Sequence, residues 1–119
     1  MARGALGTSP VTDCVAVLVT VGSLAEGERI AGAVVSEGLA ACVNIVGPIR
    51  SIYWWENGVQ RDEEQLLIIK TRAVVFGALE ARVRALHSYQ TPEVIALPIT
   101  TGSVPYLEWL RSATTRADA

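Results

Sequence analysis

Ser51-Ile-Tyr-Trp-Trp-Glu-Asn-Gly58 is the stretch on which the fold turns. Asn57-Gly58 is a pair that favours a tight hairpin turn, and strand-like residues run into it and out of it. Leu39 to about Trp55 is the incoming arm, interrupted by Gly47-Pro48, where a proline inside a ladder implies an edge position, a bulge or a bend. Val59 to Thr71 is the outgoing arm. Both exceed the usual five or so residues of a strand, so their outer halves would be exposed edges in a lone chain. Tyr53, Trp54 and Trp55 point to opposite faces in turn, and each carries about 150 to 250 Å² of aromatic surface that needs cover.

Working outward, Asp13 to Val21 has the β-branched composition of a strand covered on both faces. Ser23-Leu-Ala-Glu26 matches a capping box, Ile30, Ala33 or Val34 and Glu37 follow at helical spacing, and Gly38 supplies a left-handed stop. Beyond the hairpin, Ala73 to His87 sets Val75 or Phe76, Leu79, Val83 and Leu86 on one helical face. Tyr89-Gln-Thr-Pro92 breaks that helix, Glu93 to Thr100 is a fourth strand, and Ser103 to about Thr114 is a short helix with Pro105 in its first turn.

The order βαββαβ plus a terminal helix defines an α+β chain. Two right-handed βαβ halves joined by a long hairpin give a four-stranded antiparallel sheet with both helices on one face, the ferredoxin-like arrangement. Leu66-Leu-Ile-Ile69 and Ile95-Ala-Leu-Pro-Ile99 do not alternate apolar with polar residues, so the second face is also expected to be covered. A partner subunit in a closed, symmetric assembly is the economical cover. Tyr53, Trp54, Trp55 and Trp109 are then packing anchors at that interface rather than ligand-stacking groups.

The chain has 119 residues, half of them hydrophobic and 18% charged, with a net charge of −2. That length suits one domain, placed at 13–114, with a flexible arm at 1–12 and a flexible tail at 115–119. The charge gives no attraction for phosphate backbones, which excludes a nucleic-acid partner. No apolar run approaches the roughly 18 residues of a membrane span, and the start lacks a signal-peptide core. Cys14 and Cys42 form neither a CxxC pair nor a disulfide framework and are expected as reduced thiols in a cytoplasmic protein.

Leu39-Ala-Ala-Cys-Val-Asn44, Ser51-Ile-Tyr-Trp-Trp-Glu56, Glu64 through Lys70-Thr71, His87-Ser-Tyr-Gln-Thr-Pro-Glu-Val94 and Tyr106-Leu-Glu-Trp-Leu110 resemble, in order and spacing, the successive signatures of the CutA (divalent-cation tolerance) family. The resemblance covers roughly Val15 to Leu110. It implies a tight homotrimer with architecture similar to PII signalling proteins and a role in tolerance of copper or other divalent metals. The copper ligands proposed for the family are a first-strand Cys and an adjacent His pair. Those positions fall here on Val19, Leu86 and His87, so one ligand of three is kept.

His87, the only histidine, reads either as a structural residue closing the second helix or as a metal ligand if three copies converge on a trimer axis. Lys70 reads as a surface cation or as the anchor of a small anionic ligand in a cleft between subunits. Tyr89 and Glu93 read as a polar lining of that pocket, or as packing and charge-pairing groups. Glu64 shares a strand face with Leu66, Ile68 and Lys70 and suits an inter-subunit ion pair. Asp62-Glu-Glu64 reads as a solvated face or as a binder of hard cations, and Cys42 as a core thiol.

The leading function is a non-enzymatic, trimeric ligand-binding or signalling protein associated with divalent-metal tolerance. A scaffolding trimer without a small ligand is the alternative outside ligand binding. An acylphosphatase-like hydrolase would need an Arg-lined phosphate loop after the first strand, where Val21-Gly22-Ser23 stands. An RNA-recognition module would need stacking aromatics on the third strand, where Glu64-Gln-Leu-Leu-Ile-Ile-Lys70 stands.

Overall fold

In a computed structural model that describes residues 12–118, β1 (Cys14–Val21) runs through the interior of a four-stranded sheet. There follow α1 (Leu24–Ser36), β2 (Cys42–Trp55), β3 (Gly58–Arg72), a 3-10 turn (Ala73–Val75) leading into α2 (Phe76–Leu86), β4 (Val94–Pro98) and α3 (Val104–Thr114). The strand order β2-β3-β1-β4 with every pair antiparallel is the ferredoxin-like arrangement. All but Thr12 of the arm expected at 1–12 lies outside the described residues. From 115 the chain continues as a 3-10 turn, Thr115–Asp118, in place of the expected tail. There Arg116 donates to the carbonyls of Val35 at 2.9 Å and Ser36 at 3.4 Å, in the last turn of α1.

Alternation along β1 divides the core in two. Val15, Val17, Val19 and Val21 face the helices and pack with Leu67 and Ile69 of β3, Ile30 and Val34 of α1, and Leu79 and Val83 of α2. Cys14 points the other way and packs with Ala41, Leu107 and Leu110, so α3 lies across one end of the second face. Arg72 fastens it there, its Nε donating to the Thr114 hydroxyl at 2.9 Å and a terminal nitrogen to the Thr114 carbonyl at 3.0 Å.

The rest of the second face is uncovered within the chain. Val46 on β2 and Ile95 and Leu97 on β4 are 44%, 48% and 49% exposed, with half-buried Leu18, Leu66 and Ile68 between them. The expectation of a second apolar face therefore holds, and α3 covers only part of it.

The hairpin arms extend past β1, whose last partner on β3 is Gln65 opposite Val21. Gly47-Pro48 shifts the register between Val46 and Ile49, as the proline required. A Cβ on Gly47 would meet the end of the Gln65 side chain, which would have to swing aside. The turn differs by one residue from the Asn-Gly reading. Trp55 opposes Gly58, leaving Glu56 and Asn57 as its two central residues with φ of 51° and 62°. Both are left-handed, the mirror-image turn that matches strand twist, and Gly58 opens β3. The hairpin stretches the molecule to 52 × 31 × 21 Å and its radius of gyration to 15.9 Å. A compact domain of this length would have a radius of about 13 Å.

Candidate functional site

Where β1 ends, the α1 start, the loop after α2 and the outer half of the hairpin meet. Ser23 caps α1, its hydroxyl accepting from the Glu26 N–H at 3.1 Å. The Glu26 carboxylate, expected to close a capping box, crosses to the loop after α2. It accepts from the Ser88 N–H at 2.7 Å and the Ser88 hydroxyl at 3.0 Å. Burial pushes the Glu26 carboxyl up, but the two Ser88 hydrogen bonds lead the contributions that outweigh it, and the net shift is downward.

His87 is buried beside Glu26 with both ring nitrogens engaged. A carbonyl only accepts, so Nε2 carries the proton it donates to the Thr20 carbonyl at 2.8 Å. A backbone N–H only donates, so Nδ1 is the bare nitrogen that accepts from Tyr89 at 3.0 Å. Nδ1 also lies 3.5 Å from Glu26 Oε2. The imidazole thus welds the α2 loop to β1.

That weld aims Tyr89. Its ring packs at a tilt of 48° with its centroid 4.6 Å from that of His87, and passes over Gly22, where a Cβ would meet the phenol oxygen at 3.2 Å. The hydroxyl then donates to Glu64 Oε2 at 2.8 Å. Burial, followed by the Glu64 carboxylate, pushes the Tyr89 phenol well above its ordinary range.

Glu64 and Tyr89 stand in the wall of a cleft of about 950 Å³ between the hairpin and the loop at 89–93. Tyr53, Trp55 and Asp62 line it from the hairpin, and Gln90, Thr91 and Glu93 from the loop. The Tyr53 hydroxyl donates to Asp62 across the two arms. Arg50 also reaches the cleft, directly opposite Glu63 in the strand register.

Of the residues singled out from sequence, Glu64, Tyr89 and Glu93 come together here, and Tyr53 and Trp55, expected as interface anchors rather than ligand-stacking groups, stand in the same lining. Lys70 does not. It lies six residues from Glu64 along β3, about 20 Å at strand rise, opposite Cys42 and hydrogen-bonded to Asn44. The anion anchor expected beside Tyr89 and Glu93 is therefore not in the cleft, whose lining carboxylates outnumber its single Arg. Trp54 is on the opposite hairpin face, across from Val59. Trp109 packs against Tyr106 in α3 with ring centroids 5.5 Å apart and planes tilted by 48°, and the Tyr106 hydroxyl lies 3.6 Å from Cys42 Sγ, a half-buried thiol rather than a core one.

A metal centre does not fit these residues. Val19 is fully buried, and both His87 nitrogens are occupied. Among the described residues no three His, Cys, Asp or Glu side chains converge as a metal site. Sequence reading missed Glu26 and Ser88, which position His87. The signal lay in the capping-box Glu, whose second partner is 62 residues away. Tyr53 and Asp62 were legible as a diagonal pair once the hairpin register was fixed.

Comparison with known proteins agrees with this architecture. The profile of the CutA1 divalent ion tolerance protein family matches residues 15–113. A rice protein, CutA 1, chloroplastic, is 54% identical over 107 residues, which are 90% of this chain and 60% of the rice protein. The chain spans about 60% of the length of that relative and of a similar one from Arabidopsis thaliana. Among solved structures, the Thermus thermophilus divalent cation tolerance protein superposes with a TM-score of 0.84 at 50% identity, covering 85% of this chain and 98% of that one. The periplasmic divalent cation tolerance protein CutA of Archaeoglobus fulgidus gives 0.83 at 40% identity, covering 85% of this chain and 98% of that one.

Proposed function

This chain belongs to the CutA1 divalent ion tolerance family, and from that membership we propose that it is a divalent-cation tolerance protein that works as a homotrimer, binds its ligand in the cleft under the hairpin, and performs no catalysis. The observation that carries this reading is the uncovered apolar sheet face around Ile95 and Leu97, and the hairpin beyond it also leaves Ile52, Trp54 and Val59 exposed on its other face. Leaving this surface in water is costly at about 25 cal/mol per Å², and a second and third copy remove both it and the free strand edges. Threefold closure is the arrangement that the family resemblance implies, with the PII-like architecture that goes with it.

The chemistry at hand supports the non-catalytic part of this reading. The chain's one imidazole is locked between Thr20 and Tyr89, so it has no free nitrogen to move a proton for a substrate. A divalent ion such as copper meets this chain as a loosely held guest of the cleft's carboxylates and not as a resident cofactor. Among the described residues no helix is long and apolar enough to cross a membrane. Two free cysteines suit a reducing compartment, and we place the chain in the cytoplasm.

Calorimetric titration of copper(II) and zinc(II) into tag-free protein tests the ligand reading, with His87→Ala alongside. Weak uptake that is unchanged in His87→Ala supports it. A tight, saturable site lost in His87→Ala would overturn it and restore a histidine metal centre.

A further inference from the structure

We propose that the cleft accepts an aliphatic polyamine, a flexible cation whose charges are spaced along a hydrocarbon chain. The proposal rests on the cleft being the chain's ligand site and names the class of ligand. Three features of the cleft argue for it.

The first is charge without chelation. Asp62, Glu63, Glu64 and Glu93 line the cleft with Arg50 as its single cation, so the lining carries an excess of carboxylates. They do not converge with one another on a point, since no three carboxylate, thiolate or imidazole groups among the described residues come together as a metal site. Magnesium and calcium need about six or more oxygens around one centre. Separated carboxylates instead match a cation whose charges are themselves separated.

The second is a buried carboxylate with capacity to spare. Glu64 is only 7% exposed, and Tyr89 supplies one hydrogen bond, to Oε2. The other oxygen has no partner among the described residues. A charge held out of water without full compensation is unfavourable, and an ammonium in the cleft supplies what is missing.

The third is the wall. Tyr53, Trp55 and Tyr89 offer aromatic surface to methylenes and to ammonium groups, which are attracted to ring faces. At about 950 Å³ the cleft is at the upper end of small-ligand sites, roughly 300 to 1,000 Å³, and suits an extended guest better than a compact one.

Spermidine is the probe, titrated by calorimetry into tag-free protein whose mass has first been measured, with magnesium chloride and inorganic phosphate as comparison ligands. Expected is saturable binding of one spermidine per chain. It weakens at least tenfold in Glu64→Gln, which keeps an acceptor for Tyr89, and in Trp55→Leu. It persists in Glu80→Gln, which removes the same charge from the surface of α2. Quenching of tryptophan fluorescence in the parent, absent in Trp55→Leu, locates the guest even if Glu64→Gln fails to fold. Magnesium binding as strongly as spermidine, or spermidine binding untouched by both cleft variants, would overturn the proposal. Should phosphate or copper bind with Glu64 dependence while spermidine does not, the polyamine class fails and the cleft stands. If none of the probes binds, both fail.

Discussion

The Tyr89 hydroxyl donates to Glu64 Oε2 at 2.8 Å, joining the loop after α2 to β3 just beyond the point where β1 stops. This contact closes one wall of the cleft, and it links the helical layer to the otherwise free hairpin.

Tyr89→Phe keeps the ring over Gly22 and deletes the donor, leaving a buried carboxylate without it. The expected cost is about 1 to 3 kcal/mol, read by urea denaturation. The phenol's folded pKa is raised above the ordinary 10.0, so its contribution is complete below pH 10 and is lost as pH rises beyond it. The parent should therefore lose more stability above pH 10 than Tyr89→Phe does.

Glu26→Gln tests the carboxylate that holds the loop at Ser88. Its folded pKa is below the ordinary 4.5, so the stability it contributes is present above that value and is lost as pH falls through it. The variant should be less stable than the parent near pH 7, by about 1 to 3 kcal/mol, and the gap should narrow as pH falls below 4.5. Parallel stability curves across that range would contradict this role.

Glu56 sits at φ 51°, a conformation that Asn tolerates better than Glu. Glu56→Asn should raise the thermal midpoint, with a gain of up to about 1 kcal/mol, while Asn57→Val should lower it. The reverse order would mean that the turn is not the left-handed pair described.

Leu97→Asp places a carboxylate on the uncovered sheet face without entering the helical core. The far-UV circular dichroism should be retained while light scattering reports smaller particles. An unchanged mass would show that the face is not where copies meet.

The strand and helix order was legible because the periodicities of β1, α1 and α2 are imposed by one core, and Val17, Ile30 and Leu79 meet in it as their spacing implied. The turn was legible to within one residue. Asn-Gly chemistry announces a hairpin, but the register that moved Glu56 into the turn is set by the pairing of Trp55 with Gly58. The cleft was legible only in part. Tyr89 and Glu93 were picked out as lining one pocket and Glu64 as an ion-pairing group, whereas Lys70, expected as the anchor of that pocket, shares only the strand face of Glu64 and lies about 20 Å from it, because a strand separates in space what it keeps close in sequence. His87 could not be read as structural or metal-binding from its position alone. The partners that decide it, Thr20 and the Tyr89 N–H, are backbone groups, and a sequence does not advertise those.

The central claim is that copies of this chain cover its second sheet face, and the mass in solution tests it most directly. Multi-angle light scattering of tag-free protein through a dilution series should give about three times the 12.7 kDa of one chain, holding into the low micromolar range. A stable, folded single chain at every concentration would contradict it.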